Sequence, residues 1–357
     1  MTRRATLLVV FTGFFTLAAG VLLAQGKRSV PQPGEVPLFS VKVTGQGQPM
    51  ILIPGLISSG DVWKSTVAHY APGYECHVLT LAGFAGQPPS GANPFLPAVR
   101  DAIARYIREQ KLEKPVIVGH SLGGFLALSV AATNPDLVGK LVIVDALPAP
   151  GAEEKPDITV EELTAISQRA AASYAKTDAA ARRQMIAMMA KNPEDIARIA
   201  SWDEASDRAT AMRAVAESIL GDVRADLAKV DAPALVLMSW AGEGPVDRDS
   251  VARTLKPQFK YMKNWRFAVA PTARHFIMYD EPQWMFEEMD RFLAQTTRRP
   301  VAGVSTSMLA TAIIHSQQST PNGRIETGTE TVELSGDVRL VARSVGHRTY
   351  DALRRSL

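Results

Sequence analysis

The sequence predicts an α/β fold, in which a mostly parallel central sheet is flanked by helices and carries a helical cap insertion. Short apolar runs alternate with stretches of helical spacing from residue 38 onward, which is typical of a parallel sheet. The run 115–118 is apolar throughout, as expected of a central strand that is buried on both faces. Between residues 148 and 230 the strand pattern stops, and an Ala- and Met-rich region of helical spacing takes its place.

The main body is predicted to extend over residues 38–297, with the cap insertion at 148–230. The predicted strands are 39–43, 50–53, 76–81, 115–118, 141–144, 234–239 and 265–269. The predicted helices are 61–70, 94–110, 122–132 and 281–293 in the body, and 161–174, 179–190 and 205–220 in the insertion. Asn93 followed by Pro94 indicates the start of the second helix, because the pair combines a capping residue with proline.

The first 26 residues have the pattern of an export signal. Arg3 and Arg4 precede the uncharged apolar run 5–24, and a proline-containing linker follows at 27–37. We expect a periplasmic or secreted protein. Because about 20 apolar residues also suffice to span a bilayer, an uncleaved anchor in the inner membrane is the alternative.

The last 60 residues, 298–357, differ in composition from the body. They are rich in Thr, Ser, Gly and Gln, and they show no pattern that carries chemistry. We expect a flexible C-terminal tail, with a small appended module as the second interpretation.

Composition excludes several classes of function. The chain has 357 residues, of which 46% are hydrophobic and 21% charged, as in a globular protein with a large core. The formal net charge of +3 comes without a long basic block in the body, so we expect no nucleic-acid partner. Cys76 is the only cysteine, which excludes an intramolecular disulfide and zinc sites of the CxxC type.

The segment Gly119-His120-Ser121-Leu122-Gly123 fits the pattern G-x-S-x-G between a buried strand and a helix. A serine on such a tight turn projects its hydroxyl above the sheet edge, and flanking glycines let strand and helix approach closely. The helix N-terminus adds partial positive charge near the reacting oxygen. We therefore predict that Ser121 is a nucleophile.

With this segment in place, residues 38–293 resemble the α/β-hydrolase superfamily. The other stretches that carry the resemblance are Ile53-Pro54-Gly55-Leu56, Leu81-Ala82-Gly83-Phe84-Ala85-Gly86, Arg274-His275-Phe276 and Glu281-Pro282. The resemblance implies a serine hydrolase that needs no metal and no cofactor, with a helical cap at 148–230.

The resemblance also assigns a base and an oxyanion hole. His275 lies in the loop where the superfamily has its catalytic histidine, so it is expected to act as the general base. The backbone N–H of Leu122, directly after the nucleophile, is expected to donate to the oxyanion. The second donor is expected from the loop after strand 50–53, at Leu56.

The acid that would orient His275 has three candidates. Asp145 follows the strand after the nucleophile helix, a position that some dehalogenase-like members use. Glu243 and Asp247 follow strand 234–239, the commoner position, but the usual Gly-x-x-Asp is missing there. We favour Asp145. All three preserve the chain order of serine, acid and histidine.

The expected reaction is cleavage of an ester-type bond in a small-molecule acyl substrate, through an acyl-enzyme on Ser121. An acyltransferase would use the same site and differ only in the nucleophile that accepts the acyl group. A non-catalytic binding protein of the same fold is the remaining alternative, because the acid is ambiguous.

Overall fold

The structure is a computed structural model, and it describes residues 36–153, 155, 157–241, 247–294, 310–319, 325–335 and 339–340. The chain divides into two compact units, Met1–Ala294 and Gln295–Leu357. The predicted export signal at 1–26 lies outside the described residues. Among the residues that are described, no helix combines the length and apolar character needed to cross a membrane.

In the described part of the first unit, seven strands form one sheet in the order β1-β3-β2-β4-β5-β6-β7. The strands are β1 (Phe39–Thr44), β2 (Gln48–Ile53), β3 (Tyr74–Leu81), β4 (Val116–His120), β5 (Lys140–Val144), β6 (Ala234–Met238) and β7 (Trp265–Val269). β1 pairs with β3 in the antiparallel sense, and the other neighbours pair in parallel. The predicted α/β class with a mostly parallel sheet is confirmed.

Helices cover both faces of the sheet. They are α1 (Lys64–Tyr70), α2 (Phe95–Glu109), α3 (Leu122–Thr133), α4 (Val160–Lys176), α5 (Ala179–Ala187), α6 (Pro193–Ala205), α7 (Arg208–Leu220), α8 (Arg248–Leu255), α9 (Ile277–Asp280) and α10 (Pro282–Leu293). Ile51 and Ile53 pack with the buried faces of α2 and α3, whereas Met50 and Leu52 pack with those of α1 and α10. The last four residues of β2, Met50–Ile53, are all apolar and buried because alternate side chains enter two different cores.

Helices α4 to α7 fill the segment between β5 and β6, where the sequence predicts the cap insertion. Thr159 begins α4 with a capping box. Its hydroxyl accepts a hydrogen bond from the N–H of Glu162, and the Glu162 carboxylate accepts one from the N–H of Thr159. The helix predicted at 205–220 corresponds to α7, which begins three residues later, at Arg208, whereas α6 was not predicted. Ser206 and Asp207 separate the two helices, and Asp207 caps α7 by accepting from the N–H of Thr210.

The described residues of the second unit form a three-stranded antiparallel sheet in the order β10-β9-β8, with β8 at Ala310–Ser319, β9 at Ile325–Ser335 and β10 at Arg339–Leu340. β8 and β9 pair from Ala310 with Leu334 to Ser319 with Ile325. The flexibility of the tail in solution stays a prediction.

Candidate active site

Ser121 occupies the turn between β4 and α3. Its φ of +52° lies in the left-handed region, which a residue with a side chain adopts at an energetic cost. The N–H of Ser121 donates to the carbonyl of Val144 over 2.9 Å and so ties the turn to β5. A Cβ on Gly123 would overlap the carbonyl oxygens of Ile53 and Pro54, so only glycine permits this close approach.

Asp145 directly follows β5, and its carboxylate accepts three hydrogen bonds. Nδ1 of His275 donates to Oδ2 over 2.6 Å, and the hydroxyl of Ser239 donates to the same oxygen over 2.9 Å. The backbone N–H of Ser239 donates to Oδ1 over 2.7 Å. Asp145 also has a positive φ, +48°, and its own N–H donates to the carbonyl of Leu237 over 2.7 Å. The side chain is thereby held in one orientation.

The surroundings of Asp145 keep its carboxyl group ionised. Burial alone would raise its pKa, but the hydrogen bonds from His275 and Ser239 outweigh burial and hold the pKa below its ordinary value. An ionised carboxylate accepts a hydrogen bond from Nδ1–H of His275, so the proton stays on Nδ1. The other ring nitrogen, Nε2, then carries the lone pair that a general base needs.

Ser121 and His275 line the same cavities, at the edge where β4 to β7 end. The His275 side chain is 30% exposed and can therefore be reached from the cavity. Within the described part of the chain, no direct hydrogen bond joins the Ser121 hydroxyl to His275. Hydrogen bonds of this kind often tighten only when a substrate is bound.

The predicted oxyanion donors, Leu56 and Leu122, line one cavity together with Ser121. Neither N–H donates a backbone hydrogen bond to any described residue. The loop that carries Leu56 packs closely against the serine turn. The approach is so close that a Cβ added to Gly55 would lie 3.2 Å from Cβ of Ser121. The structure thus brings both predicted donors to the nucleophile.

His120 has a contact that the sequence did not indicate. The residue is fully buried, and its Nε2–H donates to the backbone carbonyl of His275 over 3.0 Å. The two imidazole rings lie 4.6 Å apart. Burial, followed by the nearby charge of His275, lowers the pKa of His120 to about 3, so this ring stays neutral. Since it holds the loop of His275, we regard His120 as a positioning residue.

Asp247, the candidate acid at the start of α8, is not joined to His275 among the described residues. Asp247 begins α8, where its Oδ1 accepts from the N–H of Ser250 over 2.6 Å, and its side chain is 70% exposed. Glu243 lies outside the described residues. Of the two candidates that the structure describes, Asp145 and Asp247, it places Asp145 against the histidine.

Two cavities meet at Ser121 and His275 in the described part of the molecule. The first has a volume of about 400 Å³, and the segment from α4 to α6 supplies much of its lining, including Tyr174, Met185, Ile186, Met189 and Ile199. The second has a volume of about 480 Å³ and also reaches Leu56, Leu122, Asp145, Ser218 and Ser239. Among the described residues, no group of three or more His, Cys, Asp or Glu side chains is arranged to hold a metal ion.

Known proteins of related sequence are esterases. The model described as "Alpha/beta hydrolase family" matches residues 50–288. The chain is 26% identical over 265 residues to the pimeloyl-acyl-carrier protein methyl ester esterase of Aeromonas hydrophila, an alignment that covers 71% of this chain and 98% of the relative. It is 30% identical over 205 residues to the enzyme of the same name from Aeromonas salmonicida, covering 54% of this chain and 77% of that relative.

Solved structures show the same fold. A thermophilic esterase from Thermogutta terrifontis superimposes with a TM-score of 0.60 at 21% identity, over 74% of this chain and 95% of that one. The enol-lactonase from Burkholderia xenovorans gives a TM-score of 0.60 at 14% identity, over 72% and 96%. At these identities the likeness concerns the fold alone.

Proposed function

The chain belongs to the α/β-hydrolase family, and from that premise we propose that it is a serine hydrolase that cleaves a carboxylic ester through an acyl-enzyme. The observation that carries this proposal is the 2.6 Å contact between Nδ1 of His275 and Oδ2 of Asp145, in a cavity that Ser121 also lines. A nucleophile, a base and an orienting acid are the groups that acyl transfer by a serine requires.

In the first half of the proposed reaction, Oγ of Ser121 attacks the ester carbonyl carbon while Nε2 of His275 takes the hydroxyl proton. The carbonyl oxygen becomes an oxyanion, and the N–H groups of Leu56 and Leu122 donate to it. When the tetrahedral intermediate collapses, the bond to the alcohol oxygen breaks and His275 returns the proton to the alcohol. The acyl group remains on Ser121.

In the second half, His275 takes a proton from water as the water oxygen attacks the acyl carbon. The oxyanion again accepts from the two backbone donors. The bond to Oγ then breaks, Ser121 recovers its proton from His275, and the carboxylic acid leaves. Asp145 stays ionised throughout and stabilises the imidazolium that forms in each half.

Two observations support a small-molecule ester with a partly apolar acyl group as the substrate. The relatives of this chain are esterases by name, which favours esters over amides. Met185, Met189 and Ile186 line the first cavity, and flexible apolar side chains suit an acyl chain. We assign the acyl group to this cavity and the alcohol to the second. The inserted helices would then act as a cap over the acyl group.

The test is turnover of p-nitrophenyl esters of increasing acyl length. Wild type is expected to hydrolyse them, and Ser121→Ala is expected to lose at least a thousandfold in kcat, because no other group replaces the nucleophile. Absence of turnover by folded wild type would favour a binding protein. Transfer of most acyl groups to an added alcohol, rather than to water, would favour an acyltransferase.

We also propose that the enzyme is exported, on the strength of Arg3, Arg4 and the apolar run 5–24. The full chain would be expressed in cells, the cells fractionated, and the N-terminus of the mature protein sequenced. Export predicts a start near residue 25 and recovery outside the cytoplasm. An intact chain in the membrane fraction would indicate an anchor, and an intact chain in the cytoplasm would contradict export.

A further inference from the structure

An ion pair lies in the lining of the first cavity, whose exposed lining is mostly apolar. Nε of Arg182, on α5, donates to Oδ2 of Asp203, on α6, over 2.6 Å. The two side chains are only 12% and 5% exposed. Both residues line the cavity that Ser121 and His275 also line. The inserted helices therefore bring a charged pair to the space where we place the acyl group.

The guanidinium group of Arg182 retains a donor. Nε serves Asp203, and Nη1 donates to the carbonyl of Thr177 over 3.0 Å. Nη2 has no hydrogen-bond partner among the described residues, and it is absent from the fully enclosed polar atoms that lack a partner. Asp203 is better satisfied, since the hydroxyl of Tyr174 reaches its Oδ1 at 3.4 Å. Because Arg182 lines the cavity, we place this N–H within reach of a ligand there.

Stability alone does not account for this pair. Burying two charges costs desolvation energy, and apolar replacements of buried pairs are often neutral or stabilising. The same two helices are already joined one position later by Arg183 and Glu204, whose side chains are 63% and 43% exposed and do not line the cavity. A few polar groups in an apolar pocket commonly fix the orientation and identity of the ligand.

We propose that Arg182 is a specificity-determining residue, whose Nη2 donates to a neutral oxygen acceptor on the acyl chain. The acceptor class is a keto, hydroxyl or second ester oxygen. A carboxylate is disfavoured, because Asp203 already neutralises Arg182 and a further negative charge would be buried without a partner. This inference rests on the proposed ester hydrolysis and on the assignment of the acyl group to the first cavity.

The experiment compares p-nitrophenyl esters of equal acyl length. One series carries a keto group at successive positions, one ester is unsubstituted, and one ends in a carboxylate. The measured quantity is the ratio of kcat/KM for the keto ester to that for the unsubstituted ester. Both values come from the same preparation, so the ratio does not depend on the fraction of folded enzyme.

Wild type is expected to prefer the keto ester about tenfold at one position, as for one hydrogen bond to a charged group. Arg182→Lys keeps the charge opposite Asp203 but loses the planar group with its additional donor, so the ratio should fall to about one. Arg183→Lys is the matched control and should keep the wild-type ratio. If Arg182→Lys does not fold, the double variant Arg182→Met with Asp203→Val removes both charges and should give the same fall.

The inference would be overturned if wild type showed no preference at any position, if the preference survived in the Arg182 variants, or if the carboxylate ester were the best substrate. Each of these results is compatible with hydrolysis that depends on Ser121. Failure of the proposal for Arg182 can therefore be distinguished from failure of the proposed function. If the proposed function were wrong, the unsubstituted ester would not be hydrolysed at all.

Discussion

Nδ1 of His275 lies 2.6 Å from Oδ2 of Asp145, although 130 positions separate the two residues along the chain. The order of the sheet explains how they meet. β4, β5, β6 and β7 are consecutive neighbours, and their carboxyl ends lie at one edge. Ser121, Asp145, Ser239 and His275 each follow one of these four strands, so the topology gathers them without any long loop.

Replacing Asp145 by Asn is expected to lower kcat by about four orders of magnitude, because the amide would favour the wrong tautomer of His275. The measurement is p-nitrophenyl acetate turnover, with thermal unfolding to verify that the variant is folded.

Asp247→Asn is the control for that substitution. Asp247 caps α8 and is largely exposed, and Asn caps a helix about as well as Asp, so kcat should stay within a factor of about two of wild type and stability should change little. Glu243→Gln should also retain activity. If Glu243→Gln lost as much as is expected of Asp145→Asn, the assignment of Asp145 would be wrong.

Ser239→Ala removes the hydroxyl that donates to Oδ2 of Asp145 over 2.9 Å, while the backbone N–H to Oδ1 remains. Loss of one hydrogen bond to a charged group is expected to raise the pKa of Asp145 and to reduce kcat by roughly tenfold. Ser218 lines the same cavity, but its hydroxyl donates only within its own helix, to the carbonyl of Val215. Equal losses in Ser218→Ala and Ser239→Ala would argue against a specific role for Ser239.

The strands could be predicted from the sequence because their apolar runs are buried on both faces. The prediction of 115–118 differs from β4 (Val116–His120) by one or two residues at each end. α6 was not predicted as a separate helix. Its buried face consists of Ile199, Ala200 and Asp203, and a buried Asp interrupts the apolar periodicity that marks a helix. Asp203 can be buried because Arg182, on α5, neutralises its carboxylate, and the sequence of α6 does not show this partner.

Some residues of the candidate site could likewise be predicted from the sequence, and others could not. Ser121 and His275 lie in short local motifs, which a single sequence displays. The choice among Asp145, Glu243 and Asp247 could not be made locally, because it depends on which strand end faces the histidine loop. The bond from His120 to the carbonyl of His275 leaves no local pattern at all, since it joins residues 155 positions apart.

Because His120 is buried and neutral, we expect the free energy of unfolding to depend on pH. Its pKa is 6.5 in an unfolded chain and about 3 in the folded protein, so between these values the unfolded chain binds a proton that the folded protein excludes. The free energy of unfolding should therefore be intact above about pH 6.5 and fall as the pH is lowered towards 3, by about 1.4 kcal/mol per pH unit.

The measurement is urea unfolding at pH 7 and pH 5, followed by tryptophan fluorescence, because all five tryptophans lie in the first unit. His120→Gln cannot be protonated and keeps a donor for the His275 carbonyl. Wild type should lose about 2 kcal/mol more than this variant between the two pH values. Equal losses in the two proteins would show that His120 does not bind a proton on unfolding.

Gly123→Ala should destabilise the serine turn, because its Cβ would overlap the carbonyl oxygens of Ile53 and Pro54. We expect a loss of about 2 kcal/mol or more in the free energy of unfolding, together with reduced turnover. In Gly91→Ala the added Cβ meets nothing within 4 Å, so that variant should match wild type in both measurements. A Gly123→Ala variant as stable and active as Gly91→Ala would contradict the packing described for the turn.

The proposed reaction depends on Ser121 as an activated nucleophile, and covalent labelling tests this most directly. Folded protein would be treated with a fluorophosphonate, and the adduct located by mass spectrometry of its peptides. We predict one adduct, on Ser121, that is absent from Ser121→Ala and forms far more slowly in Asp145→Asn. Folded wild-type protein that takes up no label, or a label that persists unchanged in Ser121→Ala, would contradict the account.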